Sequence, residues 1–588
     1  MASELNRKLS AAIEHHQAGR LAEAVTLYDE LLKSDPSHAD ANHLAGLVAF
    51  QQGRHDEALS LITAAIARDD GNWLYHANLG RVRKAMGEPD KAAESFARAI
   101  SFDPGDAALH ADLGGALFEA GRHEAGVESC RRAVELDPDL ANAHFNLGIA
   151  LRALGDVGDA ANSLRRAGDL EPDFADAHFC LGELLQTADD LDGASEAYER
   201  ALTARPEFIE ARCNLGNVRL DQADIAGAIE CYHAATAQDP AVAQVHANLG
   251  VALQESGDLA GALECYDQAL RLDPGDAECR RNRAHALLQS GDFEKGWREL
   301  EWRWQTRHLS AIRRDWDKPQ WGGGDFEGQT LLVHAEQGFG DCLHFARYLP
   351  LAAARGGTLV VECPDSLAEL LGRIDGVSQT VAAGQELPAF DWQLPMLSLP
   401  GVFATDFDTM PADVPYLDVP ESALEAWRNR VGGGGMNVGI VWKGSRKHKR
   451  DGWRSPGLTA LAPLFEIEGV NWFSLQKDDG RDDLATASLD NRIENLGSDF
   501  GTFTDAAAAA SHLDLVISPD TAAAHLAGAL ARPVWLMLPH ASEWRWFADR
   551  DDSPWYPTMR LFRQPSFGDW AGVVTEVTDA LKDLVGKG

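Results

Sequence analysis

The sequence predicts an α + α/β protein, in which an all-helical repeat region precedes a pair of α/β domains. Three observations predict this architecture. A proline returns every 34 residues from Pro104 to Pro274. A Leu-Gly pair keeps the same spacing from Leu79 to Leu249. From Gln329 onward, short apolar runs alternate with helical stretches, which is typical of parallel sheets.

Each 34-residue unit has the pattern of two antiparallel helices. Small residues, at the glycine of the Leu-Gly pair and at an alanine 12 residues later, let the helices approach closely, and an aromatic residue such as Tyr198 follows. The proline marks the turn before the next unit, where a helix cannot continue. The prolines and Leu-Gly pairs that carry the period are Pro36, Pro104, Pro138, Pro172, Pro206, Pro240 and Pro274, and Leu79-Gly80, Leu113-Gly114, Leu147-Gly148, Leu181-Gly182, Leu215-Gly216 and Leu249-Gly250.

This pattern resembles the tetratricopeptide repeat over roughly residues 5 to 310. The resemblance implies a superhelix of about eight to nine units, whose concave face binds an extended peptide or a partner protein. The last unit, Asn282 to Trp304, is rich in Trp and charge, as expected of an end cap or a docking surface. We assign residues 1–310 to the superhelix. Residues 311–328, with Pro319 and three consecutive glycines, are assigned to a linker.

The region after the linker contains six short apolar runs. Strands that alternate with helices predict parallel sheets with helices on both faces, and ligands bind such domains at the carboxyl ends of the strands. A glycine-rich break at Gly432 to Gly435 divides the region into residues 329–431 and 432–588. The runs are TLLVHA (330–335), TLVVEC (358–363), NVGIVWKG (437–444), NWFSLQ (471–476), LDLVIS (513–518) and PVWLML (533–538).

Composition excludes several classes of function. A net charge of −38 argues against a nucleic-acid partner held by phosphate contacts. The eight cysteines include no CxxC pair, so we expect reduced thiols rather than a metal site or disulfides. The N-terminus lacks the apolar core of a signal peptide, and no run of about 20 apolar residues occurs. We therefore expect a soluble, cytoplasmic protein without a membrane span.

The first candidate site is the loop His334-Ala-Glu-Gln-Gly-Phe-Gly-Asp341, which follows a buried strand and opens a helix. Its glycines permit a tight turn and the close approach of a ligand to the backbone. Asp341 would then lie near the helix N-terminus, at the cleft between the two domains. The alternative is an aspartate that only caps the helix, since such positions favour aspartate.

The second candidate is the segment Lys443 to Arg454, which carries six Lys or Arg in 12 residues of an acidic chain. A solvated loop is the usual explanation of such a run. Its position at the carboxyl end of a strand also suits an anion site, with the phosphate of a nucleotide as the natural ligand.

The third candidate is Ser518-Pro-Asp-Thr-Ala-Ala-Ala-His525, again at a junction of strand and helix. Asp520 or Thr521 would cap the helix, and its open N–H groups form a ready anion site. His525 lies one turn further and could donate to the same phosphate. The alternative is a structural histidine whose hydrogen bonds are satisfied inside the protein.

With these motifs, residues 329–585 resemble the heptosyltransferase-like glycosyltransferases, whose GT-B fold is a pair of Rossmann-like α/β domains. The resemblance implies that Asp341 is the general base for the acceptor hydroxyl and that Lys443, Thr521 and His525 bind the donor phosphate. It implies no metal and no cofactor, because cations and a helix terminus stabilise the departing nucleotide. The full set of site residues is Asp341 (catalytic), Lys443, Ser445, Arg446, Asp520, Thr521 and His525 (donor-binding), and Glu336, Gln337, Gly338 and Gly340 (acceptor loop).

The chain departs from that family in two ways. Ala522 stands where the family's donor site often has a glycine, which puts the detail of the phosphate contact in doubt. The lipopolysaccharide heptosyltransferases lack a repeat array, which argues against a lipid acceptor. A repeat superhelix before a GT-B region is similar to the plan of the O-GlcNAc transferase and of bacterial flagellin glycosyltransferases that use nonulosonic acids such as pseudaminic acid.

A recurring asparagine precedes the Leu-Gly pair of most units, and Asp112 and Cys180 interrupt the series. An asparagine amide both donates and accepts hydrogen bonds, so a ladder of them could bind peptide backbone of any sequence. A similar ladder lines the groove of the O-GlcNAc transferase. The alternative is that asparagine merely recurs in the repeat consensus. The predicted peptide-groove residues are Asn78, Asn146, Asn214, Asn248 and Asn282.

These features together predict a protein O-glycosyltransferase. The superhelix would recruit an acceptor protein, with flagellin as the expected partner, and the GT-B region would transfer a sugar from a nucleotide donor to Ser or Thr. Two alternatives stay open. One is a heptosyltransferase-like enzyme that acts on a cell-surface glycan. The other is a non-catalytic scaffold with a degenerate GT-B domain.

Overall fold

The computed structural model describes residues 2–432, 434–444, 451–477, 480–548 and 550–587. The chain divides into two compact units, Met1–Gln238 and Asp239–Gly588. The first unit is all-helical. The second begins with helices and continues into two parallel sheets with their helices. The predicted combination of an all-helical repeat region with a following α/β region is confirmed.

The first unit consists of seven helical hairpins. Each hairpin pairs an odd-numbered helix with the next even-numbered one. The helices are α1 (Ala2–Gln17), α2 (Leu21–Ser34), α3 (Ala39–Gln51), α4 (His55–Ile66), α5 (Trp73–Ala85), α6 (Pro89–Phe102), α7 (Ala107–Glu119), α8 (His123–Leu136), α9 (Ala141–Ala153), α10 (Val157–Leu170), α11 (Ala175–Thr187), α12 (Leu191–Ala204), α13 (Ile209–Asp221) and α14 (Ile225–Gln238).

The Leu-Gly period has a direct packing cause. A Cβ atom added at Gly80 would lie 2.6 Å from Cε1 of Phe96, and one added at Gly182 would lie 2.6 Å from Cε1 of Tyr198. The aromatic ring of the second helix therefore lies flat against the glycine of the first. Phe96 also packs beside Leu117 of the next hairpin, so the same ring joins neighbouring hairpins.

A polar contact that the sequence analysis did not identify closes the turns between hairpins. Nε2 of His144 lies 2.9 Å from the carbonyl oxygen of Pro138, and Nε2 of His178 lies 3.2 Å from that of Pro172. The histidine stands six residues after the proline and satisfies a carbonyl that the helix ends leave open.

The second unit opens with two further hairpins and a short helix. These are α15 (Ala243–Glu255), α16 (Leu259–Leu272), α17 (Ala277–Gln289), α18 (Phe293–Leu300) and α19 (Arg307–Ser310), with a 3-10 turn at Glu301–Gln305.

The first sheet has four parallel strands in the order β3-β2-β1-β4. Its strands are β1 (Thr330–His334), β2 (Thr358–Cys363), β3 (Val377–Ala382) and β4 (Trp392–Pro395). Its helices are α20 (Phe339–Phe345), α21 (Leu349–Ala353), α22 (Asp365–Leu371), α23 (Leu399–Val402) and α24 (Glu421–Arg428), with 3-10 turns at Ala346–Tyr348 and Met396–Ser398.

The second sheet has six parallel strands in the order β10-β9-β8-β5-β6-β7. Its strands are β5 (Met436–Ile440), β6 (Val470–Ser474), β7 (Ile493–Asn495), β8 (Leu515–Pro519), β9 (Val534–Leu538) and β10 (Met559–Arg563). Its helices are α25 (Asp451–Arg454), α26 (Gly480–Thr486), α27 (Phe503–Ser511), α28 (Ala522–Ala529) and α29 (Trp570–Val585), with 3-10 turns at Thr459–Glu466, Gly497–Asp499 and Trp544–Trp546.

One hydrophobic core runs through the second unit, from the hairpin α17–α18 to both sheets. Trp297 of α18 donates a hydrogen bond of 2.8 Å from Nε1 to the carbonyl oxygen of Thr405, and its ring lies 5.2 Å from that of Trp544. Trp321 and Phe326, in the segment predicted as a linker, are also buried in this core. The last helical hairpin is therefore packed as part of the α/β region.

Within the described residues, no helix combines the length and apolar character that a membrane crossing needs.

Replacing Trp297 with alanine should lower the free energy of unfolding of the second unit by about 3–5 kcal/mol, because it leaves a large cavity in the shared core. Trp302, which is only partly buried and stacks on Arg280, provides the control. Trp302→Ala should cost about 1 kcal/mol. Urea unfolding followed by near-UV circular dichroism measures both. Equal costs would show that α18 does not share the core.

Candidate functional site

The loop between β1 and α20 brings the first and third predicted motifs together. β1 is buried from Leu331 to His334, and α20 begins directly after Gly338. A Cβ atom added at Gly340 would lie 3.1 Å from Cδ2 of His525, at the start of α28. Glycine at this position therefore lets α20 and α28 approach closely.

Asp341 lies in the first turn of α20, and Gly338 occupies the N-cap position. The interpretation of Asp341 as the cap is thus wrong, because the helix begins two residues earlier, at Phe339. Its carboxylate is one-fifth exposed and forms an ion pair with Arg545. The structure therefore gives Asp341 a partner that is 204 residues away in the sequence.

Asp341 lies in the wall of a cavity of about 450 Å³. Its walls come from the last repeat hairpin, from the loop after β1 and from the segment around Arg545, among other segments. Glu336, Gln337 and Gly338 of the predicted acceptor loop lie in the wall, and Gly340 packs on α28 instead. The complete lining is Arg281, His285, Leu300, Arg303, His308, Leu309, Glu336, Gln337, Gly338, Asp341, Leu397, Glu543, Trp544 and Arg545.

Arg545 places a buried positive charge in the wall of this cavity. Its residue exposure is 6%, and it pairs with Asp341 and, at 2.5 Å, with Glu543. Its guanidinium carbon lies 4.5 Å from the ring centre of Trp544 and 5.4 Å from that of Phe345. The two aromatic rings fix the plane of the guanidinium, so its N–H groups are held in a defined direction.

A second ion pair involves Glu336 of the predicted acceptor loop. Oε1 of Glu336 accepts a 2.7 Å hydrogen bond from Nε of Arg303, and both side chains are 1% exposed. Arg303 also donates to Glu301 and to Ser398, each at 2.8 Å. Burial raises the pKa of Glu336 to about 7, although the charge of Arg303 favours the ionised form.

His285 of α17 faces the same cavity. Burial, and then the guanidinium groups of Arg281 and Arg545, lower the pKa of His285 to about 3. The imidazole is therefore neutral at physiological pH, where it can accept or donate one hydrogen bond through each ring nitrogen.

The second predicted motif is described only in part. Lys443 follows β5 and forms an ion pair with Asp483, and Asp483 also accepts a 2.8 Å hydrogen bond from Nε1 of Trp442. Ser445 and Arg446 lie outside the described residues. Lys443 itself is not in the wall of the 450 Å³ cavity.

The third motif begins α28, with Thr521 at the N-cap position. Oγ1 of Thr521 lies 2.9 Å from Oγ of Ser518. Burial of Asp520 would by itself raise the pKa of its carboxyl, but the neighbouring His525 and the charge of Arg454 hold that pKa well below its usual range. Asp520 is therefore ionised at physiological pH.

His525 is buried, with 4% exposure, and both of its ring nitrogens face protein atoms. Nδ1 lies 2.9 Å from the hydroxyl of Tyr556, and Nε2 lies 3.6 Å from Oδ1 of Asp520. The structure thus gives His525 a hydrogen-bond partner in Tyr556 and a close carboxylate neighbour in Asp520.

The asparagine ladder is hydrogen-bonded within the repeats. In the first unit, Nδ2 of Asn146 donates to the carbonyl oxygen of Ala111 in the preceding hairpin at 3.0 Å. Asn78 is buried against His43, and Asn214 donates to Tyr198. In the second unit, the side-chain oxygens of two ladder residues accept hydrogen bonds from near neighbours. These are Asn248, from Gln244 at 2.8 Å, and Asn282, from Arg281 at 3.3 Å.

Sequence reasoning did not identify Arg281, His285 or Arg545 as site residues. Arg454, inside the predicted basic segment, was not singled out either, although it donates to the carbonyl oxygen of Asp520 at 3.1 Å. The available signal was the local sequence. Arg545 stands between two tryptophans, and Arg281 stands beside the last residue of the asparagine series.

Comparison with known proteins identifies the N-terminal region. The chain matches the tetratricopeptide repeat model over residues 9–72, 78–141, 145–207, 213–277 and 248–296. The N-terminal region is a tetratricopeptide-repeat array. A relative, Protein FlbA of Caulobacter vibrioides, is 27% identical over 318 residues, which are 49% of this chain and 52% of the relative. The chain thus spans about half the length of that relative.

Solved structures similar to the repeat array include YrrB, described as a TPR protein with an unusual peptide-binding site. It is 24% identical and covers 32% of this chain and 96% of its own, with a TM-score of 0.30. MamA is 26% identical and covers 28% of this chain and 95% of its own, with a TM-score of 0.26. PilF of Pseudomonas aeruginosa is 20% identical and covers 34% of this chain and 92% of its own, with a TM-score of 0.31.

The raised pKa of Glu336 predicts a pH dependence of stability. Between its ordinary pKa of 4.5 and about 7, the folded protein keeps a proton that the unfolded chain releases. The stability of the native protein should therefore fall with rising pH in this window, by up to about 1.4 kcal/mol per pH unit from this group. Glu336→Gln lacks the effect, so its stability relative to the native protein should increase from pH 5 to pH 7.

Glu301→Gln is the matched control, because it removes a more exposed carboxylate that also pairs with Arg303. Its profile should run parallel to that of the native protein. Denaturant unfolding at a series of pH values gives the three profiles, and a Glu336→Gln profile parallel to the native one would contradict the assignment.

Proposed function

We propose that this protein is a protein O-glycosyltransferase, in which the repeat array recruits an acceptor protein and the α/β region, a GT-B pair, transfers a sugar to Ser or Thr. The observation that carries the proposal is the 450 Å³ cavity at Asp341, whose wall includes Arg281 and His285 of α17, in the last repeat hairpin. A base that lies against a peptide-binding array is placed to act on a bound peptide.

The proposed acceptor-binding site uses residues of the second unit alone. Asn248 lies on α15 and Asn282 on α17, one 34-residue period apart, and α17 also carries the cavity residues Arg281 and His285. A peptide that follows these first helices of successive hairpins would reach the cavity at α17. Its Ser or Thr hydroxyl would meet Asp341 there.

The donor side is proposed at the carboxyl edge of the second sheet. β5 and β8 are hydrogen-bonded neighbours, so the segments that follow them emerge at the same edge. Lys443 follows β5, and Asp520 and Thr521 follow β8. Arg454 connects the two segments through its hydrogen bond to the carbonyl oxygen of Asp520. These cations and the N-terminus of α28 suit a nucleotide phosphate.

The proposed reaction is a direct displacement. Asp341 removes the proton of the acceptor hydroxyl as the oxygen forms a bond to the anomeric carbon of the sugar. The bond from that carbon to the phosphate oxygen breaks, and the nucleotide leaves with the electron pair. Lys443, Arg454 and the N–H groups of α28 stabilise the negative charge on the phosphate.

The identity of acceptor and sugar comes from the resemblance of the C-terminal motifs to bacterial flagellin glycosyltransferases. We propose flagellin as the acceptor and a nonulosonic acid as the sugar, on architectural analogy. A cytoplasmic location is part of the same proposal, because nucleotide sugars and unassembled flagellin meet there.

A second candidate, a non-catalytic scaffold, is favoured by one observation. The three side chains central to the predicted site already have protein partners: Asp341 pairs with Arg545, Lys443 with Asp483, and His525 with Tyr556. The two candidates differ in nucleotide binding. A transferase binds a nucleotide diphosphate or monophosphate and loses affinity in Lys443→Ala, whereas a scaffold shows neither property.

Asp341→Asn should reduce sugar transfer at least about 10²-fold and leave acceptor binding unchanged, because a general base of this kind contributes that much or more. The intact mass of flagellin from cells that carry the native or variant gene measures transfer. Co-purification measures binding. Asp418→Asn, which removes a carboxylate paired with Arg373 on the surface, should transfer sugar at the native rate.

A repeated mass increment that persists in Asp341→Asn would contradict the assigned base. Loss of acceptor binding together with transfer would assign Asp341 a structural role. Unmodified flagellin in the native strain would exclude flagellin as the acceptor.

A further inference from the structure

We propose that Arg281 and Arg545 form a binding site for an oxyanion, a phosphate or a carboxylate, in the cavity beside Asp341. The bound anion competes with Asp341 for Arg545 and so frees the carboxylate. The anion site stands on the geometry of the cavity alone. The release of Asp341 as a base rests on the proposed glycosyltransferase function.

The first support is unused hydrogen-bonding capacity on two buried guanidinium nitrogens. Among the described residues, no acceptor lies within hydrogen-bond distance of Nε of Arg281 or Nε of Arg545, and both atoms are buried. A buried N–H group without a partner is costly, so a small side-chain shift that let a ligand oxygen in the cavity reach it would be favourable. Both arginines line the same cavity.

The second support is the rigid setting of Arg545. The residue is 6% exposed and stacks on Trp544 and Phe345, so its guanidinium cannot turn toward solvent without losing both contacts. An arginine fixed in this way presents a planar pair of donors, which matches the geometry of carboxylate and phosphate.

The third support is an unpartnered acceptor in the same wall. Oε2 of Glu336 has no hydrogen-bond donor among the described residues, and its side chain is 1% exposed. The cavity therefore offers two cationic donors and one acceptor. A ligand that carries an oxyanion together with hydroxyl or N–H groups satisfies all three.

The anion has to compete with carboxylates already present. Asp341 and Glu543 pair with Arg545, and Glu278 pairs with Arg281 at 3.1 Å. Glu543 and Glu278 are 44% and 48% exposed, and Asp341 is 19% exposed. Exposed ion pairs contribute little, so the exchange that matters is the one at Asp341.

This exchange gives α17 a direct part in catalysis. The repeat helix supplies Arg281, and the segment before β10 supplies Arg545. Asp341 is held by Arg545 while the cavity is empty of anion, and it becomes available to take a proton once the anion binds. Transfer would then begin only when the ligand is in place.

Isothermal titration calorimetry of the full chain with two probes tests the site. Inorganic pyrophosphate represents a phosphate ligand, and it is also titrated into Lys443→Ala so that binding at the donor site proposed above is told apart from binding in this cavity. Glucuronate represents a carboxylate that carries hydroxyl groups, and glucose is its neutral control. Arg281→Gln and Arg545→Gln should each weaken binding of the effective probe by about tenfold or more, since a hydrogen bond to a charged group contributes that much. Glucose should not bind.

Asp341→Asn should act in the opposite direction and tighten anion binding, because it removes the carboxylate that competes for Arg545. A residue with only a structural role would not produce this change of sign. Arg280→Gln is the matched control on the same helix, since Arg280 is engaged with the carbonyl oxygen of Pro274. It should bind the probes as the native protein does.

Each result decides the proposal. Pyrophosphate binding that Arg281→Gln weakens assigns the site to a phosphate, and glucuronate binding that Arg281→Gln weakens assigns it to a carboxylate. Failure of the native protein to bind either probe, equal weakening by Arg280→Gln, or weaker binding in Asp341→Asn overturns the site. If the buried Arg545→Gln variant does not fold, the Arg281→Gln and Asp341→Asn variants still decide the proposal. The first should weaken anion binding and the second should tighten it.

The outcome is separable from that of the proposed function. Arginine-dependent anion binding without sugar transfer would keep the site and remove the transferase. Sugar transfer that is indifferent to Arg281→Gln would keep the transferase and remove the site.

Discussion

The candidate site depends on the burial of the hairpin α17–α18 in the core of the α/β region. Trp297 packs against Trp544 and donates its N–H to Thr405, so the last repeat cannot move independently of the sheets that it contacts. This apolar contact brings Arg281 opposite Asp341. The last repeat hairpin and the α/β region thereby share one cavity.

In the wall of that cavity, two buried arginines each form an ion pair with a carboxylate. Arg545 is held between aromatic rings and paired with Asp341, while Arg303 holds Glu336 a few residues earlier on the same loop. The two carboxyls have different surroundings: Glu336 is almost fully buried and has a raised pKa, and Asp341 is partly open to the cavity. The loop after β1 and the first turn of α20 thus carry two carboxyl groups whose burial differs, and each is paired with an arginine.

The predicted repeats and α/β region were accessible from the sequence because their signals are local. A glycine at Gly80 and a ring at Phe96 are 16 residues apart and pack directly on each other, so the period of the chain is the period of the contact. The loops that end at Asp341 and begin at Asp520 were also found, because apolar strands followed by glycine or small residues identify carboxyl ends of strands. The donor roles of Ser445 and Arg446 stay predictions.

The sequence by itself determined the helical array, the alternation of strands and helices, and the positions of the loops, since hydrophobic periodicity and turn residues act over a few residues. Only the tertiary structure decided which charges meet. Asp341 and Arg545 are 204 residues apart in the chain, and Arg281 comes from a repeat helix. No local pattern encodes such a pair, because it forms only after the apolar core has brought the three segments together.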